Sequence, residues 1–196
     1  MIIESEQESS VTSLIEPSQV QTEKTMVKFQ LQFDESLIPE LANRYSYPLE
    51  DKVVDEIGPR SKNRGYFTEA DFKALCYWKT PRSQSKVNSN PSGMIEEATR
   101  IALSTEYEEM RIGVLTLLHG VSWPTASVVL HFAHKDPYPI IDFRALWSLG
   151  VNNRPQFYTF NYWWSYVLFC RKLAEKCSVS MRGLDRALWQ HSKENQ

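Results

Sequence analysis

The sequence predicts a mostly α-helical fold, and three observations support this prediction. Apolar residues recur at helical spacing in several segments, as at Ile95, Ala98 and Ala102. Helix start and stop signals surround these segments. The clearest strand-like alternation, Val27 to Phe33, has no second segment of similar quality with which to pair. We therefore expect this stretch to lie extended against helices.

The chain length and composition indicate one folded unit after an acidic N-terminal stretch. Of the 196 residues, 42% are hydrophobic and 12% aromatic, which is a globular composition. This length suffices for one core, or for two small lobes that share one. Residues 1–25 are rich in Glu and Ser and show no hydrophobic periodicity, so we expect a disordered acidic tail followed by a helical domain over 26–192.

The sequence also favours a soluble, reducing setting. It has no apolar run of the roughly 18 residues that a membrane span needs, and its first residues lack the features of a signal peptide. Its three cysteines are too few and too scattered for a disulfide framework. We expect a monomeric cytoplasmic protein, associated with the nucleoid if it is bacterial.

The first well-marked helix begins after Phe67. Thr68 and Asp71 have the spacing of a capping box, and Phe67 and Phe72 have that of a hydrophobic staple. We predict a helix from there to Trp78, ended by Pro81. A second helix follows Gly93 over residues 94–103.

The next two helices form a predicted hairpin over residues 106–134. Apolar helices at 106–118 and 125–134 flank a short break that contains Gly120 and Pro124. A loop with two prolines follows, and Asp142 stands where an N-cap would for a helix over 143–149 that Gly150 closes. Two further helices, 161–177 and 180–190, complete the chain.

Basic residues concentrate in one stretch, although the net charge of the chain is only −2. Between Arg60 and Lys86 there are seven basic and two acidic side chains. Such a cluster can bind nucleic acid, but most charge clusters are simply solvated surface, so it does not establish DNA binding alone.

The break in the hairpin resembles that of the helix-hairpin-helix DNA glycosylase superfamily. Residues 118–126 read Leu-His-Gly-Val-Ser-Trp-Pro-Thr-Ala, and the usual motif is Leu-Pro-Gly-Val-Gly-x-x-Thr-Ala. The resemblance implies a glycosylase-like fold in which the turn and the following helix start hold a DNA phosphate. The implied DNA-binding residues are Gly120, Val121, Ser122, Trp123 and Thr125. A short glycine-containing hairpin is also a common helix corner.

A second landmark of the same superfamily is a catalytic aspartate at the start of the next helix. In the endonuclease III branch it follows, by about eighteen residues, the position four after the motif glycine. That position is Pro124 here, and Asp142 stands eighteen residues beyond it. The alternative interpretation of Asp142 is a plain helix cap, and the two roles are compatible.

The resemblance implies hydrolysis of an N-glycosidic bond in double-stranded DNA, as in base excision repair. The damaged nucleotide must leave the base stack, and Asp142 would stabilise the oxocarbenium ion and activate water. Trp78, Lys79 and Arg82, at the end of the helix thought to line the pocket, are candidates for base or phosphate contacts. For both Trp78 and Trp123, a place in the core is an equal alternative.

Departures from the superfamily pattern narrow the expected activity. Bifunctional members carry a lysine where this chain has Pro124, so we expect a monofunctional enzyme without a Schiff-base step. Cys170 and Cys177 have the spacing of two ligands of an iron-sulfur cluster, but a cluster needs four, so we expect no cofactor. His131 and His134 lack the partners of a zinc site, so no metal is expected.

Two other functions remain open at this stage. The chain could be a non-catalytic helix-hairpin-helix module that only binds DNA, which the modest charge and altered hairpin would fit. It could also keep the fold and bind another protein instead. We further expect the aromatic stretch from Phe157 to Phe169 to be core rather than a base-stacking surface.

Overall fold

A computed structural model describes residues 28–47, 49, 52–153 and 155–196. The predicted tail, 1–25, lies outside these residues. The described part is mostly helical and contains no strand, as expected. Its ten α-helices are α1 (Ile38–Asn43), α2 (Lys52–Arg64), α3 (Glu69–Lys79), α4 (Gln84–Val87), α5 (Ser92–Ser104), α6 (Glu108–Leu115), α7 (Trp123–Ala133), α8 (Phe143–Ser148), α9 (Phe160–Lys176) and α10 (Met181–Asn195).

The helices pack in two groups over a continuous core. Helices α1, α8 and α9 pack around α10, while α2, α3, α5, α6 and α7 pack against one another. Between the groups, the buried Trp163 ring stacks parallel to that of Tyr138, with ring centroids 5.8 Å apart. Trp163 also lies 6.1 Å from the ring of Trp123, at the start of α7. Aromatic side chains therefore join the two groups.

The start of α3 confirms part of its predicted cap. Thr68 Oγ1 accepts the amide of Asp71 at 3.3 Å, and the rings of Phe67 and Phe72 meet edge to face at 6.5 Å. The reciprocal bond of the capping box, from the Thr68 amide to the Asp71 side chain, was predicted wrongly. The Asp71 carboxylate accepts hydrogen bonds from Arg60 and Arg64 instead, because two guanidinium donors bind it more strongly than a backbone amide does.

Several helix bounds differ from the predicted ones. Helix α6 ends at Leu115 rather than 118, because residues 116–118 tighten into turns that bond three residues back. Helix α5 starts at Ser92, so Gly93 lies inside its first turn. Helix α10 continues to Asn195, and the short α1 was not predicted.

The strand-like segment is extended and covers the end of α8. The amides of Gln30 and Gln32 donate to the carbonyls of Leu149 and Ser148, each at 3.0 Å. The Phe29 ring packs among three aromatic rings of α9, each at a centroid distance of 5.7 Å. These backbone groups therefore bond to a helix end rather than to a second strand, which satisfies carbonyls that a helix leaves open.

Candidate functional site

A cleft of about 630 Å³ opens between the two helix groups. The end of α3, the start of α7 and the start of α8 border it. Its charged residues are Lys79, Arg82, Asp142 and Arg144, and its aromatic residues are Tyr47, Phe143, Tyr158 and Trp189. A second hollow of about 600 Å³, which shares Arg82 and Tyr158 with the first, continues along the start of α7. Together they form one groove.

Asp142 lies in this cleft with both carboxylate oxygens engaged. Oδ1 accepts the amide of Ala145 at 2.9 Å, which confirms Asp142 as the N-cap of α8. Oδ2 accepts a hydrogen bond from the Lys79 ammonium at 2.8 Å. The two side chains are only 16% and 12% exposed, so the ion pair is largely shielded from solvent. Each oxygen has a further lone pair available for a ligand or water.

The backbone before Asp142 is held from two sides. The Ser127 hydroxyl of α7 donates to the carbonyl of Pro124 at 2.8 Å and accepts the amide of Ile141 at 3.1 Å. The Tyr166 hydroxyl of α9 donates to the carbonyl of Ile140 at 2.8 Å. All of these bonds are buried or partly buried, so they fix the carboxylate relative to the start of α7.

A second ion pair lies beneath the first. Arg182 donates to the buried carboxylate of Asp185 at 2.8 Å. Burial raises the pKa of Asp185 to about 6, against the opposing effect of Arg182. Burial lowers the pKa of His131 to about 3, and Arg182, Lys79 and Arg186 lower it further. His131 is therefore neutral at pH 7, and its Nδ1 donates to the carbonyl of Tyr138.

The hairpin turn is anchored to the neighbouring loop. Gly120 has φ +77°, and a Cβ there would lie 2.9 Å from the side chain of Val87. The Asn90 side chain accepts the amide of His119 at 2.7 Å and donates to the His119 carbonyl at 2.9 Å. Only glycine fits this left-handed position, because Gly120 packs closely on α4.

The other predicted hairpin residues divide between core and groove. The amide of Val121 donates to the carbonyl of Leu118 at 3.1 Å, and Thr125 is buried. Ser122 and Trp123 border the groove. Within the described residues no side chain caps the start of α7, so its first amides keep their donor capacity.

The three predicted pocket residues occupy different environments. Trp78 is buried in the core, where its ring lies 4.9 Å from that of Tyr47 and 5.6 Å from that of Phe132. Lys79 borders the cleft, held by Asp142. Arg82 is exposed and borders both hollows. The residues brought together at the groove are thus Lys79, Arg82 and Asp142.

The basic stretch is less cationic in the structure than in the sequence. Arg60 and Arg64 both pair with Asp71, Lys73 pairs with Glu69, and Lys79 pairs with Asp142. Three carboxylates therefore compensate three of its seven positive charges, with Asp71 shared between Arg60 and Arg64. Arg82 is the member of the stretch that is exposed at the groove itself.

The sequence did not reveal most of the aromatic residues that border the cleft, which are Tyr47, Phe143, Tyr158 and Trp189. Phe143 and Arg144 directly follow Asp142, and that adjacency was the signal available for them. The prediction that Phe157 is core is wrong, since the residue is 77% exposed. It precedes the first residue of α9, Phe160, so the argument that an all-round apolar helix is buried does not apply to it.

Neither a metal cluster nor a membrane span emerges from the residues that the structure describes. No group of three or more His, Cys, Asp or Glu side chains in these residues could hold a metal ion. Cys76, Cys170 and Cys177 are free thiols. None of the described helices is both long enough and apolar enough to cross a bilayer.

Comparison of the chain with protein-family models, with curated proteins and with solved structures found no match. A functional assignment therefore depends on three features: the hairpin before α7, the position of Asp142 eighteen residues after Pro124, and the cleft that both residues border.

Proposed function

We propose that the protein is a monofunctional DNA glycosylase with a helix-hairpin-helix glycosylase-like fold, which hydrolyses the N-glycosidic bond of a damaged or mismatched base. The observation that carries this proposal is the position of Asp142. Its carboxylate lies in a cleft that continues to the uncapped start of α7. A fixed anion and a phosphate-binding helix start in one groove are what this reaction requires.

The backbone of double-stranded DNA would bind along the groove. No side chain of the described residues caps the amides of Ser122 and Trp123, which lie at the positive end of the α7 dipole, and this favours a phosphate. Pro124 offers no donor, so fewer amides are available than in the usual motif. The exposed Arg82 at the same rim supplies a charge-assisted contact.

The extruded nucleotide would enter the cleft next to Asp142. Phe143, Tyr158 and Trp189 give the cleft aromatic walls that suit a base. As the base leaves, the sugar becomes cationic, and the Asp142 carboxylate stabilises that charge and orients water. The bonds from Ser127 and Tyr166 hold the carboxylate in place before the substrate binds.

The absence of an amine at Pro124 supports a monofunctional reaction. Lys79 is the lysine that borders the cleft, and its ammonium donates to Asp142. A protonated amine has no lone pair with which to attack the sugar. Hydrolysis by water is therefore the proposed route.

One observation favours the alternative of a non-catalytic DNA-binding module. Both oxygens of Asp142 already bind partners of this chain, Ala145 and Lys79. In that alternative Asp142 would only cap α8 and tie it to α3, and the groove would bind DNA without reaction.

Base release tests the proposal. Duplexes that carry oxidised, alkylated, deaminated or mismatched bases are incubated with the protein, and abasic sites are detected by alkaline cleavage. Asp142→Asn keeps an oxygen for the cap and removes the charge, and Asp136→Asn is the matched control because Asp136 lies outside the cleft. Release by the wild type and the control, with at least a 100-fold loss in Asp142→Asn, supports the enzyme.

The same samples also test the alternative, a DNA-binding module without catalytic activity. If no base is released while duplex affinity falls steeply with salt, the protein is a DNA-binding module. If it shows neither release nor salt-dependent binding, both assignments fail.

A further inference from the structure

The cleft carries more positive than negative charge. Of the described residues, Lys79, Arg82 and Arg144 border it, together with a single carboxylate, that of Asp142. The Lys79 ammonium lies 2.8 Å from that carboxylate and compensates its charge. A base that enters the cleft therefore meets two further guanidinium groups and, among the bordering residues that the structure describes, no second carboxylate.

Two aromatic residues of the cleft, Phe143 and Trp189, already lie against cationic side chains of the protein. The Arg144 guanidinium lies 5.1 Å from the centre of the Phe143 ring and 5.2 Å from that of the Trp189 ring. The Lys193 ammonium lies 5.3 Å from the centre of the Trp189 ring as well. Aromatic faces attract cations through their quadrupole, and these two rings already bind cationic side chains of the protein itself.

Further cations lie near the pair, and each has a carboxylate partner. Arg182, Lys79 and Arg186 act together with burial to lower the pKa of His131. Asp142 binds Lys79, Asp185 binds Arg182, and Asp55 lies 3.8 Å from Arg186. The excess positive charge at the cleft is therefore that of Arg82 and Arg144, which border it.

We propose that the cleft selects bases that are electrically neutral in DNA, such as oxidised or deaminated bases rich in carbonyl groups, and rejects cationic N-alkylated bases. This proposal rests on the proposed glycosylase function and names the class of substrate for the same site. The class follows from the charges that border the cleft.

The chemistry of the leaving group gives the reason. When the bond between C1′ and the base nitrogen breaks, its electron pair leaves with the base. A neutral base then departs as an anion, which the Lys79 ammonium and the Arg144 guanidinium stabilise. A cationic base departs neutral and gains nothing from these groups.

The remaining steps balance the reaction. The sugar cation at C1′ takes the oxygen of water, with Asp142 accepting one of the water protons. That proton passes to the departed base anion, so the products are the free base and an abasic site. No oxidant, reductant or cofactor is needed.

The test compares two substrate sets under single-turnover conditions. One set carries uracil, hypoxanthine, 5-hydroxyuracil or 8-oxoguanine, and the other carries 7-methylguanine or 3-methyladenine. Each rate is divided by the spontaneous loss of the same base, because cationic bases leave more readily without an enzyme. We expect the best neutral base to show an acceleration at least 10-fold above either cationic base.

Two variants link the preference to the cleft. Lys79→Met should lower release of the best neutral base at least 10-fold, and Lys79→Arg should retain most of it because the charge remains. Lys73→Met, which removes a lysine paired with Glu69 outside the cleft, should behave as the wild type.

The outcomes separate this inference from the function on which it rests. Equal or greater acceleration of the cationic bases by the wild type overturns the charge selection and leaves the glycosylase function standing. If the wild type releases no base of either set, the glycosylase function fails, and the inference fails with it.

Discussion

Replacing Lys79 and Asp142 singly and together tests whether their ion pair stabilises the folded chain. The suitable variants are Lys79→Met and Asp142→Asn, because methionine keeps most of the apolar stem and asparagine keeps an oxygen for the amide of Ala145. The double variant removes both charges. The difference between its change in the free energy of unfolding and the sum of the single changes is the coupling energy of the pair.

The structure sets the size of this coupling. Opposite charges 2.8 Å apart attract by about 6 kcal/mol at an effective dielectric constant of about 20, and by about 1.5 kcal/mol in bulk water. The side chains are 12% and 16% exposed, so the environment lies between these limits, and desolvation offsets part of the gain. We expect a coupling of about 2 kcal/mol, in the range of charged hydrogen bonds.

Urea denaturation of the four proteins at pH 7 measures the coupling. The pair between Lys73 and Glu69, four residues apart on α3 and more exposed, provides a matched control. Its cycle should give only about 0.3–0.5 kcal/mol. Adding 0.5 M salt should reduce the control coupling further and leave most of the coupling between Lys79 and Asp142.

A coupling between Lys79 and Asp142 no larger than that of the control would refute this reasoning. It would mean that the ammonium is solvated rather than bound to Asp142. The Asp142 carboxylate would then contribute its full negative charge to the cleft.

Three further predictions concern the elements that build the site. Gly120→Ala should lower the free energy of unfolding by about 2 kcal/mol or more, through its positive φ and the contact with Val87, whereas Gly93→Ala, in open space, should not be destabilising. Ser127→Ala should cost about 1–3 kcal/mol by leaving the amide of Ile141 without its acceptor, and it should also lower base release. His131→Asn should flatten the fall in stability below pH 6.5.

The sign of the His131 prediction follows from its lowered pKa. The unfolded chain takes up a proton near pH 6.5, while the folded chain takes it up only near 3. Stability is therefore lost as the pH falls between these values, by up to about 1.4 kcal/mol per pH unit for this group. Asparagine does not titrate, so urea denaturation at pH 4.5–6.5 should show a shallower slope, and an unchanged slope would count against a neutral His131 in the folded chain.

Urea denaturation also tests the predictions for Gly120→Ala and Ser127→Ala. Equal stability of the two alanine variants at Gly120 and Gly93 would mean that the hairpin turn does not pack on α4 as described. Full base release by a stable Ser127→Ala protein would show that the carboxylate needs no support from α7.

Features encoded by neighbouring residues were predictable from the sequence. Thr68 and Asp142 both cap helices as expected, because a side-chain oxygen that bonds an amide three residues ahead depends only on local geometry. Helices α3, α7 and α9 fall within about two residues of their predicted bounds for the same reason. The extended segment near Phe29 followed from the lack of a second strand.

Features that depend on distant residues were not predictable. Lys79 and Asp142 are 63 positions apart, and only the tertiary structure, which brings the end of α3 to the start of α8, shows that they pair. The tertiary structure likewise brings Tyr47 and Trp189 to the same cleft. Charge counting likewise could not show that Asp71 pairs with two arginines, since that depends on how α2 lies against α3.

Asp142 caps α8 and, under the proposed function, is also the catalytic anion, which bears on how such a protein could change over evolutionary time. A single nucleotide change converts an aspartate codon to an asparagine codon, and asparagine is as good a helix cap as aspartate. A descendant with that change would retain the α8 start and the groove while losing the anion. Under the proposed function, the chemistry would thus be lost in one mutational step while the DNA-binding groove is kept, so a glycosylase and a non-catalytic DNA-binding protein on this architecture would differ by one residue.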